Sequence, residues 1–239
     1  GWTALFLRNC DYLTSMTAYE DTPEGIGVAF PFIPVTNHLT EILSRSNIAQ
    51  YKIAETEKYA HLTYFLNGGK EASYRREERF MVPSQKVADF SQTPQMGSKA
   101  ITDEALRALS KNAFPFLAIN LCNADMLGHT GNIQAAIAGV TFLDQCLARL
   151  IPEARSRGFE IIVTADHGNA EEMYIPEIGS THTAHTLNKV PFVLLSNRVL
   201  ALKPEGTLAN VAPTILELME IEKPPEVSAS SLIAKGNII

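Results

Sequence analysis

The feature that most constrains the fold is a pair of strongly apolar runs, each followed shortly by an aspartate and a histidine. FPFLAINL comes before Asp125 and His129, and FEIIVTA comes before Asp166 and His167. Short apolar runs of this kind are typical of buried β-strands. In α/β folds, functional side chains gather at the carboxyl ends of the strands. The pattern therefore predicts an α/β fold in which these four side chains crowd one edge of a sheet.

Helical patterns separate the strand-like runs. The longest runs from Asn132 to Arg157, where apolar residues recur at helical spacing. Other helices are predicted at 36–46, 102–111 and 208–219, and other strands at 11–16, 51–55 and 191–195. This alternation favours a largely parallel sheet sandwiched by helices, within a single domain that takes up residues 1–239. Residues 68–98 are polar and charged, which predicts an excursion or hinge that adds little to the core.

Composition narrows the class of partner. The formal net charge is −6, and no run of lysine or arginine offsets it, which argues against a nucleic-acid surface. No apolar stretch approaches the roughly 20 residues of a membrane span. The three cysteines are widely spaced and fit neither a disulfide framework nor a thiolate metal site. We therefore expect a cytoplasmic protein that binds a small molecule, without nucleic-acid or membrane partners. The absence of an obvious surplus apolar face favours a monomer.

The aspartates and histidines point to a metal site. Imidazole nitrogen and carboxylate oxygen together favour manganese, zinc, iron or cobalt. Taken singly, each pair has a plain structural interpretation, such as a capping aspartate beside a surface histidine. A third cluster, His182-Thr183-Ala184-His185, lies on a stretch between two strands, and either of its histidines could be a ligand while the other orients it or contacts substrate. Three such clusters in one chain favour the metal site.

Longer strings around these clusters resemble a known family. NADMLGHTGN, TADHGNAEEM and HTAHTLNKVPF are similar to the metal-binding motifs of the cofactor-independent (2,3-bisphosphoglycerate-independent) phosphoglycerate mutases of the alkaline phosphatase superfamily, and AETEKYAHLTYFLNGG and ERFMVPSQKVADF also resemble that family. The resemblance implies an alkaline-phosphatase-like fold. It further implies the following metal ligands: Asp125, His129 and His185 for one manganese ion, and Asp166 and His167 as half of a second site. By the same resemblance Lys58 contacts the substrate near its phosphate, although a solvated lysine at a strand end is the plain alternative.

The resemblance also implies a reaction, and it shows which parts of the family's sequence have no counterpart in this chain. In the family, a serine takes the phosphoryl group of 3-phosphoglycerate and returns it to the neighbouring hydroxyl, giving 2-phosphoglycerate. We find no counterpart here of that serine, of the aspartate that completes the second metal site, or of the arginine-rich substrate-binding domain. The chain also opens at Gly1 without a methionine. We therefore expect the C-terminal part of a mutase, with no catalytic nucleophile of its own and no turnover by itself.

Two other interpretations remain open at this point. One is another phosphotransferase or phosphohydrolase of the same superfamily, against which AETEKYAH and VPSQKVADF argue because the shared metal motifs do not require them. The other is a noncatalytic binding module that keeps the fold. The intact set of potential ligands argues against this second alternative.

Overall fold

The computed structural model describes residues 12–18, 25–177, 179–198 and 200–234. The chain divides into two units, Gly1–Val35 and Thr36–Ile239. In the first unit, strands β1 (Thr14–Thr17) and β2 (Gly27–Phe30) pair in parallel. The predicted strand at 11–16 overlaps β1, and its first residue lies outside the described part of the chain.

The second unit contains a three-stranded parallel sheet in the order β4-β3-β5. Its strands are β3 (Gln50–Glu55), β4 (Glu77–Val82) and β5 (Phe116–Ile119). Two antiparallel pairs follow, formed by β6 (Ile161–Thr164) with β9 (Phe192–Leu195) and by β7 (Tyr174–Ile175) with β8 (Ser180–Thr181). All six residues of β3 are buried, as expected for the central strand of a parallel sheet.

Within the described residues, six α-helices lie between and after these strands. They are α1 (Leu39–Arg45), α2 (Thr56–Ala60), α3 (Ser98–Lys111), α4 (Asn123–Gly128), α5 (Ile133–Ser156) and α6 (Val211–Leu218). A π-helical turn, His61–Phe65, continues α2, and 3₁₀ turns occupy Phe90–Gln92 and Leu208–Asn210.

Two apolar cores cover the two faces of the sheet. On one face Ile53 of β3 packs with Ile101 and Leu109 of α3 and with Leu150 of α5. On the other face, residues of α1 pack with Leu216 of α6, and Phe116 of β5 joins this second core. The predicted α/β fold, a largely parallel sheet between helices, is confirmed. The long helix is placed within one residue of its predicted ends, and the side chain of Asn132 caps it by accepting from the N–H of Ala135 at 3.0 Å.

The prediction that 68–98 adds little core is wrong for β4. This strand pairs along its length with β3, and Val82 is part of the core. The sequence did not indicate this strand because its first residue, Glu77, is a charged residue that is nevertheless buried. Its carboxylate contacts Lys52 of β3 at 3.2 Å and Arg79 at 2.7 Å. Burial of a charge requires such partners, and the lysine lies 25 residues away in the sequence. A hinge role for the remainder stays a prediction.

The expectation about membrane spans also needs correction. By length and composition alone, α5 is long and apolar enough to cross a membrane. The core helix of a globular protein passes the same test, and α5 packs against α3 and α4 with Cys146 and Leu150 buried.

Candidate metal centre

The first two predicted ligands are positioned by the short helix α4, which follows β5. Asp125 lies in its first turn and His129 directly follows its last residue. Residues four apart lie on the same face of a helix, so both side chains project together. The helix is held in place by Leu127, which is fully buried against Ala135 and Ala136 of α5. Asp125 and His129 therefore point in the same direction because the segment that joins them is helical and not an open loop.

Three potential ligand atoms meet at this point. Asp125 Oδ1 lies 3.1 Å from His129 Nε2 and 3.3 Å from His185 Nε2, and the two Nε2 atoms are 3.0 Å apart. Atoms bound to one ion at about 2.1 Å lie about 3.0 to 3.4 Å from one another in octahedral or tetrahedral arrangements. The observed triangle has this size, and it combines one carboxylate with two imidazoles. These residues therefore fit a divalent metal ion.

The orientation of His129 is set by a contact outside the triangle. Its Nδ1 lies 2.7 Å from the backbone carbonyl oxygen of Thr183, to which it is placed to donate a hydrogen bond. A proton on Nδ1 leaves the lone pair of Nε2 free to bind a cation. Because Thr183 precedes His185 by two residues, the same loop supplies one imidazole and orients the other.

The second predicted pair lies beside the first cluster. His167 Nε2 is 4.0 Å from Asp125 Oδ1, and its ring stacks on that of His185 with centroids 3.7 Å apart. Asp125, His167 and His185 also offer ligand atoms that all lie within 4.8 Å of one another. Asp166 is more remote, 3.6 Å from His167 Nε2 and with 65% of its side chain exposed. The shorter distances favour the triangle with His129, and they leave His167 and Asp166 as a neighbouring pair.

Lys58 lies against the same carboxylate. It projects from α2, just after β3, and its Nζ is 2.6 Å from Asp125 Oδ2. Although burial of the carboxyl works in the opposite direction, the hydrogen bonds from Lys58 and Asn169 lower the pKa of Asp125. The carboxylate is thus kept ionised, with Oδ1 directed at the imidazoles and Oδ2 at the ammonium group. By contrast, the ring nitrogen Nδ1 of His182 lies 2.8 Å from the carbonyl oxygen of Glu172, and we find no contact between His182 and the triangle among the described residues.

Two supporting residues were not singled out from the sequence. Asn169 is 4% exposed and donates from Nδ2 to Asp125 Oδ1 at 2.8 Å. Glu171 accepts from the N–H of Asn169 at 2.6 Å and from the hydroxyl of Thr186. Partial burial opposes the effect, but these hydrogen bonds lower the pKa of Glu171 to about 2. Both residues lie inside TADHGNAEEM, and their polarity directly after a strand is the signal that could have identified them.

Comparisons with known proteins identify the family. The family model described as the metalloenzyme superfamily matches residues 31–223. The chain is 44% identical to 2,3-bisphosphoglycerate-independent phosphoglycerate mutase 2 of Methanosarcina barkeri, over 94% of the length of this chain. It is 46% identical to the 2,3-bisphosphoglycerate-independent phosphoglycerate mutase of Moorella thermoacetica, over 92% of the length of this chain. It spans only 42% of the length of each of these relatives.

A solved structure is similar as well. The phosphoglycerate mutase of Leishmania mexicana, crystallised at low cobalt concentration, matches with a TM-score of 0.82 and 32% identity, over 92% of this chain and 44% of that one. The fold, the convergence of carboxylate and imidazole groups, and the match of the family model to most of the chain lead to one assignment. The chain belongs to the metalloenzyme superfamily, and nearly its whole length is similar to 2,3-bisphosphoglycerate-independent phosphoglycerate mutases.

Proposed function

We propose that this chain is the C-terminal, metal-binding part of a cofactor-independent phosphoglycerate mutase, which interconverts 3-phosphoglycerate and 2-phosphoglycerate in glycolysis and gluconeogenesis. The observation that carries the proposal is the similarity to named mutases over nearly the whole chain. The chain spans less than half the length of those relatives. We therefore assign the serine nucleophile and the substrate-binding domain to polypeptide outside these 239 residues.

The proposed metal ligands divide into two sets. Asp125, His129 and His185 hold one divalent ion, and Asp166 and His167 contribute half of a second site. The ligand–ligand distances in the first set support this division. We propose manganese as the natural metal, and the same ligands are compatible with cobalt, zinc or iron. A bound divalent ion would bind phosphate oxygens, favour the ionised serine and stabilise charge on the transferring group.

Lys58 has a proposed role beside this metal. Its ammonium group lies 2.6 Å from Asp125 and is 14% exposed, so it is held at the cluster rather than in solvent. A lysine in that position supplies a point charge that can bind the oxygens of a phosphate. We propose that Lys58 contacts the phosphate of phosphoglycerate while its neighbour Asp125 binds metal.

The remaining expectations follow from the same assignment. We propose a small-molecule substrate, a cytoplasmic location and a monomeric state, with neither nucleic acid nor membrane as a partner. The net charge of −6 supports the expectation that nucleic acid is not a partner, because a strongly basic surface is the usual mark of a nucleic-acid partner.

The test is a measurement of bound manganese together with mutase activity. We expect the 239-residue chain to bind one ion, and the variants Asp125→Ala and His185→Ala to lose it. The matched control is His182→Ala, which removes a half-buried histidine from the same loop without touching the triangle. Phosphoglycerate turnover is expected only when the rest of the polypeptide is present. Metal retained in both ligand variants, or turnover by this chain alone, would contradict the assignment.

A further inference from the structure

A buried carboxyl group lies at the end of β3, just before the helix that carries Lys58. It belongs to Glu55, which is 0% exposed. One of its oxygens, Oε2, accepts from the backbone N–H of Gly97 at 2.9 Å and from the thiol of Cys122 at 3.5 Å. The other oxygen, Oε1, is buried and has no hydrogen-bonding partner among the described residues. A buried polar group that is only partly satisfied costs stability, so its presence calls for an explanation.

An ion pair does not provide that explanation. Two other glutamates are buried in the described part of the chain, and each has an arginine beside it. Glu77 contacts Arg79 at 2.7 Å, and Glu104 contacts Arg107. The hydrogen-bonding partners of Glu55 are instead a backbone amide and a thiol, and neither of these is a cation.

The places of these two partners in the fold are more informative. Gly97 is the N-cap of α3 and Cys122 is the N-cap of α4, while Glu55 is itself the N-cap of α2. One carboxyl group therefore connects the starts of three helices. The N–H that Gly97 donates lies at the N-terminal end of α3, a helix of 14 residues, whose partial positive charge favours a carboxylate acceptor.

Two of the three helices carry groups that meet at the metal cluster. Lys58 follows Glu55 by three residues in α2, and Asp125 follows Cys122 by three residues in α4. The ammonium group of Lys58 and the carboxylate of Asp125 are 2.6 Å apart. Three residues of an α-helix rise only about 4.5 Å, so each side chain projects from the first turn after its N-cap. A displacement of either helix start would therefore change the separation of Lys58 from Asp125.

The segment that leads into α3 also holds the start of α4. Asn123 donates from Nδ2 to the carbonyl oxygen of Pro94 at 2.7 Å, and it accepts from the hydroxyl of Ser98. Between these contacts, Met96 has a φ of 46° and is 5% exposed. A left-handed backbone is unfavourable for such a residue and persists where the surrounding contacts fix it. The N–H of Gly97 thus reaches Glu55 from a segment whose position is well determined.

We propose that Glu55 is a positioning residue of the metal centre. Its carboxyl group holds the start of α4 against the starts of α2 and α3, and it thereby sets the separation of Lys58 from Asp125. It acts through these two residues and contacts neither metal nor substrate. The inference rests on the proposed function for its effect on metal binding, whereas its effect on the geometry of the ion pair does not.

The test compares two variants of the 239-residue chain. Glu55→Gln keeps the size of the side chain, removes its charge and replaces one acceptor oxygen by a donor. In calorimetric titrations we expect this variant to bind manganese about tenfold or more weakly. The matched control is Glu104→Gln, which changes a second buried carboxylate that contacts Tyr51 near the first residue of β3. We expect the control to lower the unfolding midpoint and to leave the affinity for manganese unchanged. Equal affinities in the two variants would show that Glu55 is a core residue only.

A second readout needs no metal. A double-mutant cycle with Lys58→Met and Asp125→Asn measures how strongly these two residues are coupled in the free energy of unfolding. We expect coupling in the parent chain and in the Glu104→Gln background, and its loss in the Glu55→Gln background. Coupling that persists with Glu55→Gln would overturn the proposal. If the parent chain binds no manganese, the proposed function fails, and this cycle still decides the role of Glu55.

A milder pair of variants covers the case in which Glu55→Gln does not fold. Cys122→Ala removes the thiol that donates to Glu55 and keeps the carboxyl group. Cys146→Ala is its matched control, because Cys146 is also a free, buried cysteine and its thiol contacts the carbonyl oxygen of Ser98 instead. We expect weaker manganese binding and weaker coupling of Lys58 to Asp125 in the first variant alone. Identical results for the two cysteine variants would contradict the proposal.

Discussion

Substitution of Gly128 by alanine tests how the metal cluster is supported. Gly128 is the last residue of α4 and directly precedes His129. A Cβ at this position would collide with the side-chain amide of Asn169, which is 4% exposed and has little room to move. That amide donates to Asp125 Oδ1 at 2.8 Å. We therefore expect Gly128→Ala to break the hydrogen bond between Asn169 and Asp125 without touching a proposed metal ligand.

The size of the effect follows from the charge of the acceptor. A hydrogen bond to a charged group contributes about 1.5 to 3 kcal/mol. Since about 1.4 kcal/mol corresponds to a factor of ten, the affinity for manganese should fall roughly 10- to 100-fold. Loss of a group that orients a metal ligand commonly has this magnitude. Calorimetric titration of the chain with manganese measures the affinity, and thermal unfolding of the same samples verifies that the variant is folded.

Asn169→Ala provides the control. This variant removes the same hydrogen bond, and we expect a similar loss of affinity. It also removes the group with which a Cβ at Gly128 would collide, so Gly128→Ala should add little in that background. An equal loss from Gly128→Ala in both backgrounds would refute the reasoning, because the effect would then not pass through Asn169.

Three further predictions concern charged residues. Lys52→Met leaves Glu77 buried without its lysine, and we expect it to lower the free energy of unfolding by about 3 kcal/mol in denaturant titrations; no change would mean that Arg79 alone suffices. The pKa of Glu171 is about 2 in the folded state and 4.5 ordinarily, so its contribution to stability should be present above about pH 4.5 and be lost as the pH falls toward 2. Glu171→Gln should flatten that part of the profile of unfolding midpoint against pH. Lys58→Met should raise the pKa of Asp125, because the hydrogen bond from Lys58 lowers it, and an unchanged titration of this carboxyl group in NMR spectra would contradict this.

Much of the fold could be predicted because its signals are local. The long helix has apolar residues at helical spacing and a capping Asn132, and both its ends were predicted within one residue. The strands β5 and β6 are short apolar runs between polar segments, and the candidate ligands follow them directly. The periodicity of a helix and the polarity change at a strand end are properties of a few consecutive residues, so one sequence suffices to recognise them.

What the sequence did not reveal depends on contacts between distant segments. The strand β4 begins with Glu77, whose burial is made possible by Lys52 on the neighbouring strand. Helix α3 begins at Ser98, four residues earlier than predicted, and the hydroxyl of this fully buried serine donates to Asn123 of α4. In both cases a polar residue that reads as exposed lies in the interior because a partner from elsewhere in the chain satisfies it.

The hydrogen bonds that hold the candidate metal ligands in position also join segments that are distant in the sequence. Asp125 lies on α4, but the group that fixes its Oδ1 is Asn169, and Asn169 is in turn held by Glu171 through its backbone N–H. Glu171 also accepts from Thr186, the residue after His185, so one carboxylate ties together the two loops that bring imidazoles to Asp125. A group bonded in this way holds the ligands in position before metal arrives, which reduces the conformational entropy lost on binding. The loops around Glu171 should therefore contribute to metal affinity together with α4, which carries Asp125.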